Sequence, residues 1–221
     1  MKNLAAFPCL ALLAALLAFG ATGALAQDIQ AHRHDGFFLS ISPGIAFGST
    51  EADLGGNAGS WDNITFRGPG GILDIKVGGA LAENLILSAD FIGRNVRGPD
   101  METVGGTSDL DDDVMLSDGT VGIGLTYYIM PANVFLSGTL GVGRFTLRNT
   151  SDDDDDPVNT NPGFSLHAKV GKEWWVSRNW GLGVAAGYGF IGAERDDNSD
   201  ADFNGDYTSH KFYVLFNTTF N

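Results

Sequence analysis

From residue 37 onward apolar side chains recur at every second position, the period of a strand whose two faces differ. The clearest run is Trp180 to Phe190. Trp180, Leu182, Val184, Ala186, Tyr188 and Phe190 alternate there with Gly181, Gly183, Ala185, Gly187 and Gly189. Val121, Ile123, Leu125, Tyr127 and Ile129 alternate in the same way with Gly122, Gly124 and Thr126. The pattern predicts strands at about 37–48, 70–81, 85–95, 119–130, 134–146, 163–176, 180–191 and 210–220. No stretch after residue 26 has the roughly twenty apolar residues of a membrane helix or a sustained helical stripe.

The links between these strands alternate in length. Ala82-Glu83-Asn84, Pro131-Ala132-Asn133 and Ser177-Arg178-Asn179 are tight turns ending in asparagine, which tolerates left-handed backbone. The long links span 49–69, 96–118, 147–162 and 192–209. Eight strands joined alternately by short and long links describe an all-β, up-and-down antiparallel barrel. Strands of 10–13 residues, tilted by roughly 40°, cover an apolar band of about 25 Å, the requirement of a transmembrane barrel.

The two faces decide between a soluble barrel and a membrane one. Charges at mid-strand share a face with the glycines: Asp74 and Lys76, Asp90 and Arg94, His167, Lys169 and Glu173. The other face carries Leu73, Ile75 and Val77; Leu85, Leu87 and Phe91; Leu166, Ala168 and Val170; Phe212, Val214 and Phe216. Glycine covers nothing and has weak strand propensity, so a glycine-and-charge face makes a poor exterior. As an interior it leaves room for long side chains from neighbouring strands. Lys76, Arg94 and Lys169 balance Asp74, Asp90 and Glu173 there, as a closed lumen demands, since an unpaired buried charge costs several kcal/mol. A barrel of this size has an interior that side chains fill, so a plugged lumen is expected. Arg144 and Lys172 fall on the lipid side by parity, near strand ends where long cations snorkel. Phe37, Tyr127, Trp174, Trp180 and Phe220 are expected at the short-turn interface, and Phe47, Phe91, Phe164, Tyr188 and Phe212 at the long-loop one.

Composition narrows the setting. Hydrophobic residues are 43% and charged ones 18%, too apolar for a disordered chain. A net charge of −14 argues against a nucleic-acid partner, since phosphates repel such a surface. The single cysteine, Cys9, excludes disulfide frameworks and cysteine-based zinc sites. Met1–Ala26 reads as a secretory signal: Lys2, an apolar run from Leu10 to Phe19, and Ala24-Leu25-Ala26 before Gln27. Residues 27–221 then form the barrel domain.

With these features in place the chain resembles the small outer-membrane β-barrels of the OmpX, OmpW and OmpA-transmembrane type. The likeness rests on the leader, the eight strands, the glycine-rich run 180–190 and the last strand Lys211-Phe-Tyr-Val-Leu-Phe-Asn-Thr-Thr-Phe220. It is a likeness of architecture and texture that covers the mature chain. It implies a monomer in the outer membrane of a Gram-negative bacterium. It also implies a last strand read by the barrel-assembly machinery, although Asn221 here follows the aromatic residue that usually ends it. OmpW-like barrels imply a second reading, a narrow conduit for small hydrophobic solutes, which charges at mid-depth oppose. Lipid A deacylases of this fold imply a third and use His-x-Ser facing lipid. Here Ser165-x-His167 has the reverse order and the inward parity, and Glu173 is roughly 20 Å along the strand from His167. No enzyme activity is expected.

The long links hold 21 of the 27 acids against four arginines, Arg67, Arg97, Arg148 and Arg195, a net of −17. Such a crown repels anionic lipopolysaccharide unless divalent cations bridge the two. Asp152–Asp156 is expected to be a solvated charge run. Asp200, Asp202, Asn204 and Asp206, with Gly205, match the first half of a calcium loop, but Lys211 stands where the bidentate glutamate is due. A weak calcium site is the only cofactor expectation. His32 and His34 are spaced to clamp a metal, with no second half-site, and are expected to be a tether.

Overall fold

The computed structural model describes residues 33–53, 63–151, 157–194 and 205–221. Its strands are β1 (Phe37–Asp53), β2 (Asn63–Ala82), β3 (Leu85–Arg97), β4 (Asp100–Thr103), β5 (Gly106–Asp109), β6 (Val114–Ile129), β7 (Val134–Asn149), β8 (Val158–Asn159), β9 (Gly163–Trp175), β10 (Trp180–Glu194) and β11 (Asp206–Phe220). No helix among the described residues is long and apolar enough to cross a membrane.

Eight of these strands form one antiparallel cylinder in the order β1-β11-β10-β9-β7-β6-β3-β2, closed by pairing of β1 with β2. Closure satisfies every edge, which an open sheet in hydrocarbon could not do. The eight expected strands are all present, but on the long-loop side they run further than their hydrophobic alternation. β1 continues to Asp53, β6 starts at Val114, β10 ends at Glu194 and β11 starts at Asp206. The link 96–118 is not all loop: β4 and β5 form a hairpin that pairs with β2 at Thr65–Arg67. It sits beside a small apolar cluster of Phe66, Val96 and Leu116. In this extension most outward residues are polar, so the ladder continues where alternation no longer reports it.

The short turns use asparagine in two ways. Asn84 and Asn133 adopt left-handed backbone, at φ 64° and 52°. Asn179 is not among the left-handed residues; its side chain instead donates to the backbone carbonyl of Asn221 at 2.7 Å. A left-handed conformation costs most L-residues about 1–2 kcal/mol. Asn84→Ala is therefore expected to lower barrel stability by about 1 kcal/mol, and Asn84→Gly by much less. Urea midpoints in phospholipid vesicles check this pair.

Candidate functional site: the lumen and the outer wall

The inner face begins with what β10 lacks. Gly181, Gly183, Gly187 and Gly189 all point inward, and side chains of β9 and β11 lean over them. Gly189 lies in register between His167 and Lys211. A Cβ built there would come within 2.7 Å of the His167 ring and 2.9 Å of Lys211 Cε. Gly183 in the same way lies under Glu173, at 2.6 Å from its Cγ, and Gly187 lies under the ring of Tyr213. On β6, Gly124 makes room for the carboxylate of Asp90. The bare strands are the space that the charged side chains occupy.

Asp74, Lys76, Asp90, Arg94, His167, Lys169 and Glu173 all point inward and are buried; the least buried, Lys169, is 7% exposed. Lys76 on β2 stands opposite Asp90 on β3 and pairs with it. Asp90 also accepts from Ser88 and Thr139, each at 2.5 Å. Lys169 reaches from β9 across the lumen to Asp74 on β2, at 2.6 Å. Arg94 pairs with the facing Asp118 at 2.5 Å and donates to Thr50 and Ser209 at 3.1 and 3.4 Å. Lys211 reaches from β11 to the other oxygen of Asp118.

Two of these residues stand outside the expected set of lumen charges. Asp118 belongs to the lumen and not to the acidic loop 96–118, because β6 begins before it. Lys211, expected in the last strand but not among the lumen charges, is a lumen cation. Parity could have placed Lys211, since Phe212, Val214 and Phe216 point outward. With both included, four cations face four carboxylates. Two pairs join neighbouring strands, and two tie opposite walls together.

Among the described residues Glu173 has no cation partner. Its Oε1 accepts from Thr219 at 2.7 Å, and from Tyr128 and Asn217 at 3.3 Å. Ser165 and His167 meet only through Thr120, whose hydroxyl lies 2.8 Å from Ser165 Oγ and 3.2 Å from His167 Nε2. Lys169 is committed to Asp74, so His167, Lys169 and Glu173, neighbours on one face of β9, make three separate sets of contacts.

At the short-turn end His34 is fully buried, which sequence reasoning missed. Its ring stacks on Tyr128 with centroids 3.5 Å apart. Its ring nitrogens lie 2.8 Å from Asn221 Oδ1 and 3.0 Å from Asn133 Oδ1. His34 is thus a plug at the turn end, with both ring nitrogens engaged. His32 lies outside the described residues, as do the leader Met1–Ala26, Asp152–Asp156, and Asp200, Asp202 and Asn204 of the calcium expectation. Asp206 is the first residue of β11, opposite Asp53 and Glu194. Among the described residues no group of three or more His, Cys, Asp or Glu is placed to hold a metal.

The outer wall is apolar around the cylinder. Ile41, Ile45, Leu73, Leu87, Ile123 and Leu140 are all exposed. Apolar surface on that scale marks a membrane or a partner. At the turn end Phe37, Tyr127, Trp174 and Trp180 are exposed, and Phe220 packs edge-on against Trp180 at 5.3 Å. Phe47, Phe164 and Phe212 are exposed toward the other end, where the Tyr188 hydroxyl meets His210 Nδ1 at 2.5 Å. Phe91 departs from expectation: it stands at the middle of β3, so it belongs to the band rather than its rim. Lys172 folds back over Trp174, with Nζ 5.4 Å from the ring centroid, and donates to Ala132 O. Arg144 is exposed on the outer wall, as parity placed it.

No family model matches the chain, and no curated protein does either. Solved structures do match. OprG, an outer membrane protein of Pseudomonas aeruginosa, superposes at a TM-score of 0.50 and 18% identity, over 88% of this chain and 100% of that one. Neisserial surface protein A gives a TM-score of 0.50 at 13% identity, over 81% and 95%. The outer membrane protein AlkL, solved in lipid bilayers, gives 0.50 at 10% identity, over 90% and 96%. Closed topology, apolar wall and these likenesses agree: the chain has the fold of the small eight-stranded outer-membrane β-barrels.

Proposed function

We propose that the protein is an integral outer-membrane barrel with a lumen closed by its own side chains, acting at the cell surface through its acidic long links. The supporting observation is the pair of cross-lumen ties, Lys169–Asp74 and Lys211–Asp118, with Arg94 and Lys76 wholly buried beside them. A hydrophobic solute moving down this lumen would have to break four ion pairs and leave charges unpaired in a low-dielectric interior. Ser165 and His167 lack an orienting acid, since Glu173 is engaged with Tyr128, Asn217 and Thr219, so the reading is of a non-catalytic protein. The aromatic outer face of β11 supports recognition by the barrel-assembly machinery.

Planar-bilayer recording tests the closed lumen. The expected result is a folded, inserted protein with no persistent openings. Steady unitary conductance, or uptake of small apolar solutes into vesicles carrying the protein, would contradict it and favour the conduit reading.

A further inference from the structure

The long links are acidic, but the outer wall beneath them is divided by charge. On β10, β11 and β1 the residues Glu194, Asp206 and Asp53 stand side by side in register and exposed. On the opposite side the register of β3, β6 and β7 aligns Arg97, Met115 and Arg148. Two rows lower it aligns Gly93, Gly119 and Arg144. Arg97, Arg144 and Arg148 are exposed, and among the described residues none forms an ion pair. Arg67, the remaining described arginine on that side, is held by Glu102 at 3.3 Å.

Below the arginines the wall is indented. A groove of about 480 Å³ runs between Phe91, Val121 and Val142, with Arg144 on its border. Gly93 and Gly119 lie in it, and a Cβ added to either would meet nothing within 4 Å. Arg144 is ten residues up β7 from Val134, which at about 3.3 Å per residue and a tilt of roughly 40° is about 25 Å. That height is the far edge of a hydrocarbon band of about 25 Å. Arg97 and Arg148 stand roughly 5–10 Å higher, at headgroup level.

An apolar groove in the hydrocarbon zone, bordered by a cation at its rim and continued by two more above, has the polarity of a phosphorylated lipid. The geometry points to a binding site for one such lipid from the long-loop leaflet, with an acyl chain along Gly93 and Gly119 and a phosphate on Arg144, Arg97 and Arg148. Guanidinium groups suit this role because they bind phosphate bidentately. The site needs no bridging cation, unlike contact through the acidic links. It rests on the reading of the chain as a membrane-inserted barrel.

The full chain, refolded into phosphatidylcholine nanodiscs with a minor fraction of lipid A and with EDTA present, provides the test. Native mass spectrometry reads the lipid retained. Wild type is expected to keep phosphorylated lipid A and to release its dephosphorylated form. The variant R97Q/R144Q/R148Q is expected to retain it about tenfold less or worse. Gly119→Leu keeps all three charges and fills the groove, and is expected to weaken lipid A without changing the affinity for inorganic phosphate. Equal retention by wild type and the arginine variant, retention that EDTA abolishes, or indifference to Gly119→Leu would each overturn the site. Heat-modifiable gel mobility separates the two layers: a folded barrel without lipid selectivity defeats the site alone, and failure to insert defeats the barrel reading and the site with it.

Discussion

Asp118→Asn is expected to destabilise the folded barrel by about 3–5 kcal/mol, more than any other single charge removal in the lumen. Among the described residues Asp118 is the one carboxylate held by two cations, Arg94 from the facing strand and Lys211 from across the cylinder. Each of the three side chains is buried. Removing the anion leaves two charges without compensation in a medium that solvates them poorly, and much of the expected loss is that penalty. The triple variant R94M/D118L/K211M removes the whole cluster and is expected to recover most of the loss, since apolar groups of similar volume need no partner. Urea unfolding in phospholipid vesicles, followed by tryptophan fluorescence, reads both. If Asp118→Asn matched wild type, the three residues would not be sealed from water.

The second large effect is expected at Gly189. A leucine there would project from the bare face of β10 into the space filled by His167 and Lys211, with its Cβ already within 2.7 and 2.9 Å of them. Overpacking of a full interior costs about 1–3 kcal/mol. Here Lys211 is also levered away from Asp118, so an effect at the upper end of that range, or loss of folding, is expected. Gly192→Leu supplies the control. It lies on the outer parity of the same strand, and a Cβ there comes no closer than 3.4 Å to the Phe190 ring. Little change is expected, and equal damage at both positions would mean that β10 is misoriented.

Much of this was legible in the sequence because a half-buried strand writes its two faces at period two. The glycine run 180–190 showed which side was bare, and the charges sharing that side followed. Legibility stopped where the outer face turned polar. Beyond Gly48 the outward positions are Ser49, Glu51 and Asp53, and before Gly119 the run Val114-Met115-Leu116 does not alternate, so the ends of β1 and β6 were set short, and Asp118 was assigned to a loop. Lys211 escaped for another reason: it stands at the very start of the expected last strand, where one residue of register decides which face a side chain takes. The partners in the lumen were harder still. Lys76–Asp90 and Arg94–Asp118 lie opposite each other on paired strands, but Lys169 and Asp74 are 95 residues apart on strands that do not touch. Which residues meet across a cylinder depends on its shear, which no local pattern encodes. The groove by Arg144 escaped notice because open floor at Gly93 and Gly119 is a property of three neighbouring strands together.

The central claim is that ionic, glycine-rich faces line the axis while apolar faces meet lipid. Spin labels placed one at a time at 135 to 142 of β7, in bilayers, report it through collisions with oxygen, which partitions into hydrocarbon. High collision rates are predicted at 136, 138, 140 and 142 and low ones at 135, 137, 139 and 141. The opposite phase, or no alternation at all, would contradict the account.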